Sequence, residues 1–197
     1  QSYKIKLVAK AVEATSGLVI ADKQLDLIDA TFHSNCGGQT CNSEDVWSKP
    51  LPYLRSVQDT FCTKTKNAHW KKVMHKDKWN KYLRANGING NQDTIINGEL
   101  YFVCTTDRQA AVCFPGGKIK ATQIRNDFHL RSAFFEVKSV KDSVYILGKG
   151  YGHGVGMCQE GAMEMAKRGF SYKQIIDYYF QEVLLVNLSA LTFFKED

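Results

Sequence analysis

The spacing of apolar residues along the chain predicts both helices and strands. Helical spacing occurs in several stretches, at residues 7–15, 70–84, 121–126, 157–168 and after Ser171. Short apolar runs bounded by turn residues predict strands at 18–21, 27–32, 134–140, 144–147 and 183–188, with an extended segment at 53–57. This mixture is typical of the α+β class, with a mostly antiparallel sheet and helices packed against it. We predict a single domain that spans residues 1–197.

Turn and capping residues sharpen these boundaries. Gly17 and Gly169 each follow a helical stretch, where glycine commonly ends a helix. Ser171 and Gln174 have the spacing of a capping box, which predicts a helix start. The dipeptide Lys141-Asp142 separates two strand-like runs and predicts a hairpin turn, and the segment 86–91 predicts an exposed tip.

Glycine occupies every second position from Gly148 to Gly156. In an extended chain this spacing leaves one face without side chains, so that another backbone or a flat ligand can come close. The opposite face carries Lys149, Tyr151, His153 and Val155. A glycine-rich strand packed tightly under a helix explains the pattern equally well. For His153, a hydrogen-bonded histidine in the core and a catalytic or substrate-contacting histidine both fit.

Two nucleotide-binding motifs are absent from this run. No Gly-x-Gly-x-x-Gly register closes, because Met157 and Gln159 stand where the third glycine would be. A P-loop would need Lys-Ser or Lys-Thr after its last glycine, whereas Ala162 and Met163 follow Gly161. The run therefore does not indicate nucleotide binding.

Composition and charge add modest constraints. The chain is 44% hydrophobic and 23% charged, which is typical of a globular domain, and no apolar run is long enough for a membrane span. The net charge of +6 favours an anionic partner such as cell wall, nucleic acid or a membrane surface. No stripe of basic and aromatic residues supports nucleic acid, so we expect no nucleic-acid partner. The start at Gln1 is expected for a processed or trimmed piece.

Six cysteines suggest an exported protein if they form disulfides. Cys104 and Cys113 lie in two apolar stretches and can bridge a hairpin that turns near Asp107-Arg108. His33, Cys36 and Cys41 can supply three metal ligands, and a disulfide or unmodified thiols explain the two cysteines as well. No Cys-x-x-Cys pair is present, so a zinc ribbon or redox motif is not indicated.

Three ordered motifs resemble the SpoIID/LytB family. The segment from Gly148 to Ala166, followed by 169–176, resembles the closing signature of these proteins. The segment 33–40, with Ser-Glu-Asp-Val-Trp at 43–47 and Pro-Tyr-Leu at 52–54, resembles the family's Ser-x-x-Gly-Gly-x-Thr and Glu-Asp-Val-Trp stretch. Between them, Ile124-Arg125 and Arg131-Ser132-x-x-Phe135 resemble two shorter family motifs. The resemblance covers about residues 9–185.

The resemblance implies a function in peptidoglycan processing outside the cytoplasm, related to sporulation in some members. SpoIID is a lytic transglycosylase that acts on glycan strands freed of stem peptides, and LytB-type relatives are amidase enhancers. In this reaction the muramoyl 6-hydroxyl attacks the anomeric carbon, and the bond between N-acetylmuramic acid and N-acetylglucosamine breaks. The product is an anhydro ring, and no water is consumed. One carboxyl group can serve first as acid and then as base, unlike the two carboxyl groups of glycoside hydrolases.

The chain departs from the family pattern at its start. In the family, the catalytic glutamate lies in a Glu-Met-Pro-like segment upstream, and some members carry a zinc-binding segment whose tail resembles Gln1-Ser2-Tyr3. We therefore expect a domain that lacks its N-terminal part and holds no metal or other cofactor of its own. Whether the chain alone is an enzyme stays open. Its expected partners are glycan strands, and also the missing N-terminal segment or an amidase. The alternative is a non-catalytic glycan-binding or amidase-enhancing module.

Resemblance and local chemistry together select the residues expected to line a glycan-binding groove: Ser34, Gly37, Gly38, Ser43, Glu44, Asp45, Tyr151, His153 and Gln159. Glu44 and Asp45 form the local carboxylate pair that can substitute as acid and base, although turn formation and helix capping explain them too. His153 is expected to orient a carboxylate or a substrate hydroxyl. Trp47 and Tyr53 can stack on sugar rings or belong to the core.

Overall fold

A computed structural model of the chain describes residues 2–47, 49–88, 110–114 and 116–191. Within these residues the fold is a mixture of helices and strands, as predicted. The helices are α1 Ser2–Thr15, α2 Ser43–Val46, α3 Lys76–Ala85, α4 Ala121–Asp127, α5 Gln159–Lys167 and α6 Tyr172–Tyr179. The strands are β1 Leu18–Ala21, β2 Phe32–His33, β3 His69–His75, β4 Ala111–Phe114, β5 Gly117–Lys120, β6 Phe135–Val140, β7 Ser143–Lys149, β8 Met157–Cys158 and β9 Leu184–Asn187.

Most strand pairs in the described residues are antiparallel, as expected. The largest sheet has the order β3-β7-β6, with β7 in the centre. Strands β1 and β9 form a second antiparallel pair and β4 and β5 a third. The short strands β2 and β8 pair in parallel, with His33 opposite Cys158. This parallel pair joins the segment that begins at His33 to the segment that begins at Gly148, which carry the two longest motifs of the sequence.

Two hydrophobic clusters support these elements. The first lies between the three-stranded sheet and helices α3 and α4, with Trp79 and Ile124 fully buried. The second contains Val155 and Met165, together with several buried cysteines. It packs under helices α5 and α6 and the loops around β2 and β8. The second cluster therefore positions the candidate site. No helix among the described residues is both long and apolar enough to cross a membrane.

Several predicted elements are confirmed. Strand β1 has the predicted bounds. Strands β6 and β7 form the predicted hairpin, which turns at Lys141, where φ is 52°. Ser171 and Gln174 form both hydrogen bonds of the capping box at the start of α6. The predicted tip at 86–91 and the turn near residues 107–108 lie largely or wholly outside the described residues.

Three predictions of local structure were wrong. The segment predicted as helical from residue 70 begins instead as strand β3, because it pairs along its whole length with β7. Gly148 leaves the space that the indole of Trp70 occupies in this pairing. The strand predicted at 27–32 is reduced to an isolated bridge between Leu27 and Ala21 and the start of β2 at Phe32. Met157 belongs to β8 rather than to the following helix.

Candidate functional site

The glycine run does not stay extended, which corrects the sequence-based expectation. Strand β7 ends at Lys149, and the next glycines at positions 150, 152, 154 and 156 all have positive φ values between 71° and 116°. L-residues with a side chain rarely adopt this region. The expected close approach of another backbone is confirmed, because a Cβ atom on Gly150 would lie 2.5 Å from the carbonyl oxygen of Asn35. The run is therefore built to pack against the segment around Asn35.

Residues 33–41 and 150–158 interlock to form what we call the loop junction. Asn35 and Tyr151 exchange two backbone hydrogen bonds, with N···O distances of 3.0 and 2.7 Å. The amide of Cys41 donates to the carbonyl oxygen of Gly154 at 2.8 Å. These contacts bring together most of the predicted site residues from the two motifs: Ser34, Gly37, Gly38, Tyr151, His153 and Gln159.

Both ring nitrogens of His153 have backbone partners. Nε2 lies 2.9 Å from the carbonyl oxygen of Phe32, and the amide of Val155 donates to Nδ1 at 3.1 Å. These partners require a proton on Nε2 and none on Nδ1, so they select one neutral tautomer. The ring also lies 5.3 Å from the ring of Trp47 and 5.5 Å from that of His33. This geometry fits a histidine that shapes the loop junction, and its predicted orienting role stays a prediction.

Glu44 and Asp45 lie on the short helix α2 beside the loop junction. Arg55 donates from Nη1 and Nη2 to the two carboxylate oxygens of Glu44, at 2.7 and 2.5 Å. The hydrogen bonds from Arg55 lower the pKa of Glu44 to about 2. Asp45 is exposed and accepts a hydrogen bond from Asn42 at 3.1 Å. A carboxyl group that stays ionised at neutral pH has no proton to donate, so Glu44 is poorly suited to act as a general acid.

The pairing of Glu44 gives a direct prediction. We expect its carboxyl group to titrate with a pKa of about 2 in the native protein, and to shift upward in an Arg55→Gln variant that loses both donated hydrogen bonds. Because the native pKa lies below the ordinary value of 4.5, the ion pair stabilises the fold above that value, and its contribution is lost as the pH falls towards 2. NMR titration of the side-chain carboxyl carbon measures this. Arg168→Gln, which removes a distant guanidinium, is the control, and an unchanged pKa in Arg55→Gln would contradict the assignment.

The other predicted residues differ in their accessibility. Ser43 is fully buried, and its hydroxyl oxygen accepts from the amide of Leu51 at 2.8 Å. Tyr151 is 45% exposed and Trp47 is 40% exposed, so both present aromatic surface to solvent. Gln159 is exposed in the first turn of α5. Tyr53 is buried and its hydroxyl accepts from the amide of Asp29 at 3.2 Å, as in the core interpretation. The substrate-binding assignments stay predictions.

Sequence reasoning missed Glu160, which connects three segments. Asn35 Nδ2 and the hydroxyl of Thr65 both donate to Oε2, and Asn67 Nδ2 donates to Oε1 at 2.5 Å. Burial raises the pKa of Glu160, but the hydrogen bonds from Thr65, Asn35 and Asn67 outweigh it, and the net pKa is lowered. The carboxylate is therefore a structural anchor of the loop junction. Its place in the closing signature was the one signal that could have found it.

The cysteines are arranged differently from the predicted metal set. Cys41 lies with its sulfur 3.9 Å from the carbonyl oxygen of His153, and His33 Nδ1 lies 3.1 Å from the carbonyl oxygen of Val155. The group that can hold a metal ion among the described residues is Cys36, Asp59, Cys62 and Cys158. Cys113 is disulfide-bonded, whereas Cys104 lies outside the described residues.

The fold is a mixed α+β fold in which Trp47 packs beside His153 of the loop junction. Trp47 and Tyr151 are exposed, whereas Cys36 and Cys158 of the loop junction belong to a buried cysteine cluster. The chain is 33% identical to stage II sporulation protein D of Bacillus subtilis (strain 168), over 90% of this chain and 50% of the relative. It is 33% identical to the Bacillus amyloliquefaciens protein of the same name, over 92% and 52%. It is 27% identical to the amidase enhancer of Bacillus subtilis, over 90% of this chain and 32% of that protein.

Over about nine-tenths of its length, the chain is therefore similar to proteins of the SpoIID/LytB family. It spans about half the length of the stage II sporulation proteins D that it matches. No family model matches the chain.

Proposed function

We propose that this chain processes bacterial cell wall outside the cytoplasm. More specifically, it forms the glycan-contacting part of a lytic transglycosylase that cleaves stem-peptide-free strands between N-acetylmuramic acid and N-acetylglucosamine. The similarity to the stage II sporulation proteins D over about nine-tenths of the chain supports this proposal. The observation that carries it at the level of residues is the aromatic surface beside the loop junction.

We use the term aromatic surface for the two exposed aromatic side chains in or beside the loop junction, Trp47 and Tyr151. Both side chains are about two-fifths exposed or more, although large aromatic residues usually bury most of their area. The Trp47 ring packs beside His153, and the Arg131 guanidinium lies 5.7 Å from the centre of the Tyr151 ring. These contacts position the two rings, and both rings stay partly exposed to solvent. Fixed aromatic faces of this kind suit the apolar faces of sugar rings, and neighbouring polar groups such as Gln159 suit hydroxyl and N-acetyl groups.

The proposal separates glycan contact from proton transfer. Cleavage needs a carboxyl group that is protonated before the reaction and can return as a base. The Arg55 partner keeps Glu44 ionised, and Glu160 is surrounded by hydrogen-bond donors. Asp45, the other carboxylate of the predicted pair, is exposed and accepts a hydrogen bond from Asn42. A catalytic glutamate from outside these residues, as the family resemblance implies, is the simplest source of the acid.

A second candidate is a non-catalytic module that binds glycan or enhances an amidase. The ion-paired state of Glu44 favours it for this chain by itself. The similarity to a protein named amidase enhancer, which covers 90% of the chain, also favours it. The two candidates share the glycan-binding surface and differ in whether a bond is cleaved.

Glycan cleavage and glycan binding are measured separately. Stem-peptide-free strands are incubated with the chain and with the complete gene product, and anhydro-muramoyl ends are detected by mass spectrometry. We expect such ends with the complete gene product, and binding without cleavage for the chain alone. In co-sedimentation, Tyr151→Ala and Trp47→Ala should each weaken binding by about tenfold, because each removes one stacking face.

Tyr172→Ala is the matched control for these substitutions. Tyr172 lies on α6 and is 46% exposed, an exposed fraction similar to those of Tyr151 and Trp47. Its replacement therefore removes a similarly exposed aromatic side chain that is not part of the loop junction. Binding by this variant should equal that of the unsubstituted chain. Strands that are bound but never cleaved by the complete gene product would support the second candidate. Equal binding by all three variants would contradict the aromatic surface as the glycan site.

A further inference from the structure

Four potential metal ligands converge inside the second hydrophobic cluster. They are Sγ of Cys36, Cys62 and Cys158 and a carboxylate oxygen of Asp59, and these atoms all lie within 4.8 Å of one another. Cys36 Sγ is 3.2 Å from Asp59 Oδ2 and 3.3 Å from Cys62 Sγ. Cys36, Asp59, Cys62 and Cys158 each have no exposed surface. The four residues come from three separate parts of the chain, so the fold itself creates the cluster.

The separations match a tetrahedral metal site. Zinc–thiolate bonds of about 2.3 Å place neighbouring ligand atoms roughly 3.5–4 Å apart. Three sulfur ligands and one oxygen ligand in this arrangement favour zinc over magnesium or calcium, which prefer oxygen ligands in larger number. Asp59 and Cys62 also have the three-residue spacing that is common between neighbouring zinc ligands. The donor set and its geometry therefore indicate a closed zinc site.

Hydrogen-bond donors surround the cluster as an outer shell. The amides of Cys36 and Gly161 each donate to Cys158 Sγ at 3.3 Å. Donors of this kind stabilise the negative charge that three thiolates bring to a metal site.

The carboxylate of Asp59 is also oriented. Tyr179 donates its hydroxyl to Oδ2 at 2.9 Å, and the amide of Phe61 donates to Oδ1 at 2.9 Å. A Cβ atom on Gly161 would lie 2.3 Å from Oδ2, so the glycine leaves room for the carboxylate. Hydrogen bonds that orient a ligating carboxylate are characteristic of metal sites. A buried carboxylate beside three sulfurs would otherwise be costly, and a bound cation would offset that cost.

We propose that Cys36, Asp59, Cys62 and Cys158 bind one structural zinc ion. Zinc replaces the thiol protons, which pass to solvent, and it takes one oxygen of Asp59 as its fourth ligand. All four coordination positions are filled by the protein, so the ion has no open position for a substrate or an activated water. Its role is to fix the segment after β2 and the turn at 59–62 to the start of α5. The sequence alone predicts no cofactor within this chain, and the proposal departs from that expectation.

A disulfide between Cys36 and Cys62 is the competing use of the same residues. It would leave Cys158 and Asp59 without a common partner, although both point into the same space and have their own outer-shell donors. One metal ion explains why all four potential ligand atoms lie close together, whereas one disulfide explains only two of them. The two alternatives also differ in mass, in thiol count and in metal content.

The test is metal analysis of the chain purified without chelators from zinc-supplemented medium. We expect about one zinc ion per chain by inductively coupled plasma mass spectrometry. Asp59→Asn and Cys62→Ser should each lose most of it. Cys41→Ser is the matched control, because Cys41 is a buried cysteine outside the cluster, and this variant should keep its zinc. Asp59→Cys should also keep it, as a site with four thiolates.

A second measurement needs no variant and so does not depend on variant folding. The chain refolded with Co²⁺ should show the visible d–d bands of tetrahedral cobalt together with thiolate-to-cobalt charge transfer. Removing zinc with a strong chelator should lower the Tm by about 10 °C or more, since the metal and folding are linked. Absence of zinc and of the cobalt bands, or a Cys36–Cys62 disulfide found by peptide mass spectrometry, would overturn the proposal. Neither measurement involves glycan, so its outcome is independent of the proposed function.

Discussion

Gly150→Ala is expected to destabilise the protein by about 3–5 kcal/mol, because two costs act at one position. Gly150 has a φ of 77°, which is strained for alanine. An added Cβ would also lie 2.5 Å from the carbonyl oxygen of Asn35 and 2.8 Å from the amide nitrogen of Gly37. Both contacts are with backbone, so no side-chain rotation can relieve them. Urea denaturation monitored by circular dichroism measures the loss in the free energy of unfolding.

Gly169→Ala separates the two costs. Gly169 has a φ of 89°, in the same left-handed region as Gly150. Nothing lies within 4 Å of a Cβ added at Gly169. This variant should lose only about 1–2 kcal/mol from backbone strain. The difference between the two variants then reports the contact with the segment around Asn35. Equal losses would show that the loop junction is looser than the structure indicates.

The helix starts, turns and strands that depend only on residues close together in the sequence could be predicted from the sequence. The capping box at Ser171 needs only two side chains within one turn, and the hairpin arms on either side of Lys141 need only one turn between two apolar runs. The strand prediction at 18–21 held because a short apolar run bounded by turns has few alternatives. In each case the residues that decide the structure are neighbours in the sequence.

Strand β3 shows the limit of local patterns. Apolar residues at Trp70, Val73 and Met74 fit a helix as well as a strand, and the local pattern cannot decide between them. The decision comes from β7, which is distant along the chain and whose Gly148 accommodates the Trp70 ring. Tertiary pairing therefore overrides the local preference.

The candidate site shows the same division. The motif residues of the loop junction could be selected from the sequence, but their contacts could not. Arg55 forms an ion pair with Glu44, which lies 11 residues away in the sequence. The amide of Cys36 donates to the sulfur of Cys158, which lies 122 residues away. Searching for ligands at short spacing selected Cys41 and missed Asp59, because the cluster is assembled from distant segments.

Glu160 is the residue whose importance depends most on such distant contacts. Its carboxylate accepts hydrogen bonds from Asn35, Thr65 and Asn67, and its own amide donates to the carbonyl oxygen of Ser34 at 3.0 Å. The side chain thus ties the start of α5 to the segment after β2 and to the turn before β3. Loss of its charge would therefore weaken several hydrogen bonds at once.

Glu160→Gln is accordingly expected to destabilise the protein by about 2–3 kcal/mol at pH 7, because a neutral amide accepts more weakly and its NH₂ group faces other donors. Glu164→Gln, on the same helix, is the control. Glu164 contacts the exposed Lys167 instead, and its replacement should cost less than about 0.5 kcal/mol. Thermal and urea unfolding of both variants against the unsubstituted chain provide the comparison.

The pH dependence tests whether the charge of Glu160 is responsible. The pKa of Glu160 is lowered in the folded state, so its stabilising contribution is complete above the ordinary value of 4.5 and is lost as the pH falls through the folded pKa. The stability difference between the unsubstituted chain and Glu160→Gln should accordingly shrink as the pH is lowered from 7 towards 3. The Glu164→Gln difference should stay small throughout. A Glu160→Gln difference that is independent of pH would assign the loss to packing instead of to the carboxylate and its donors on Asn35, Thr65 and Asn67.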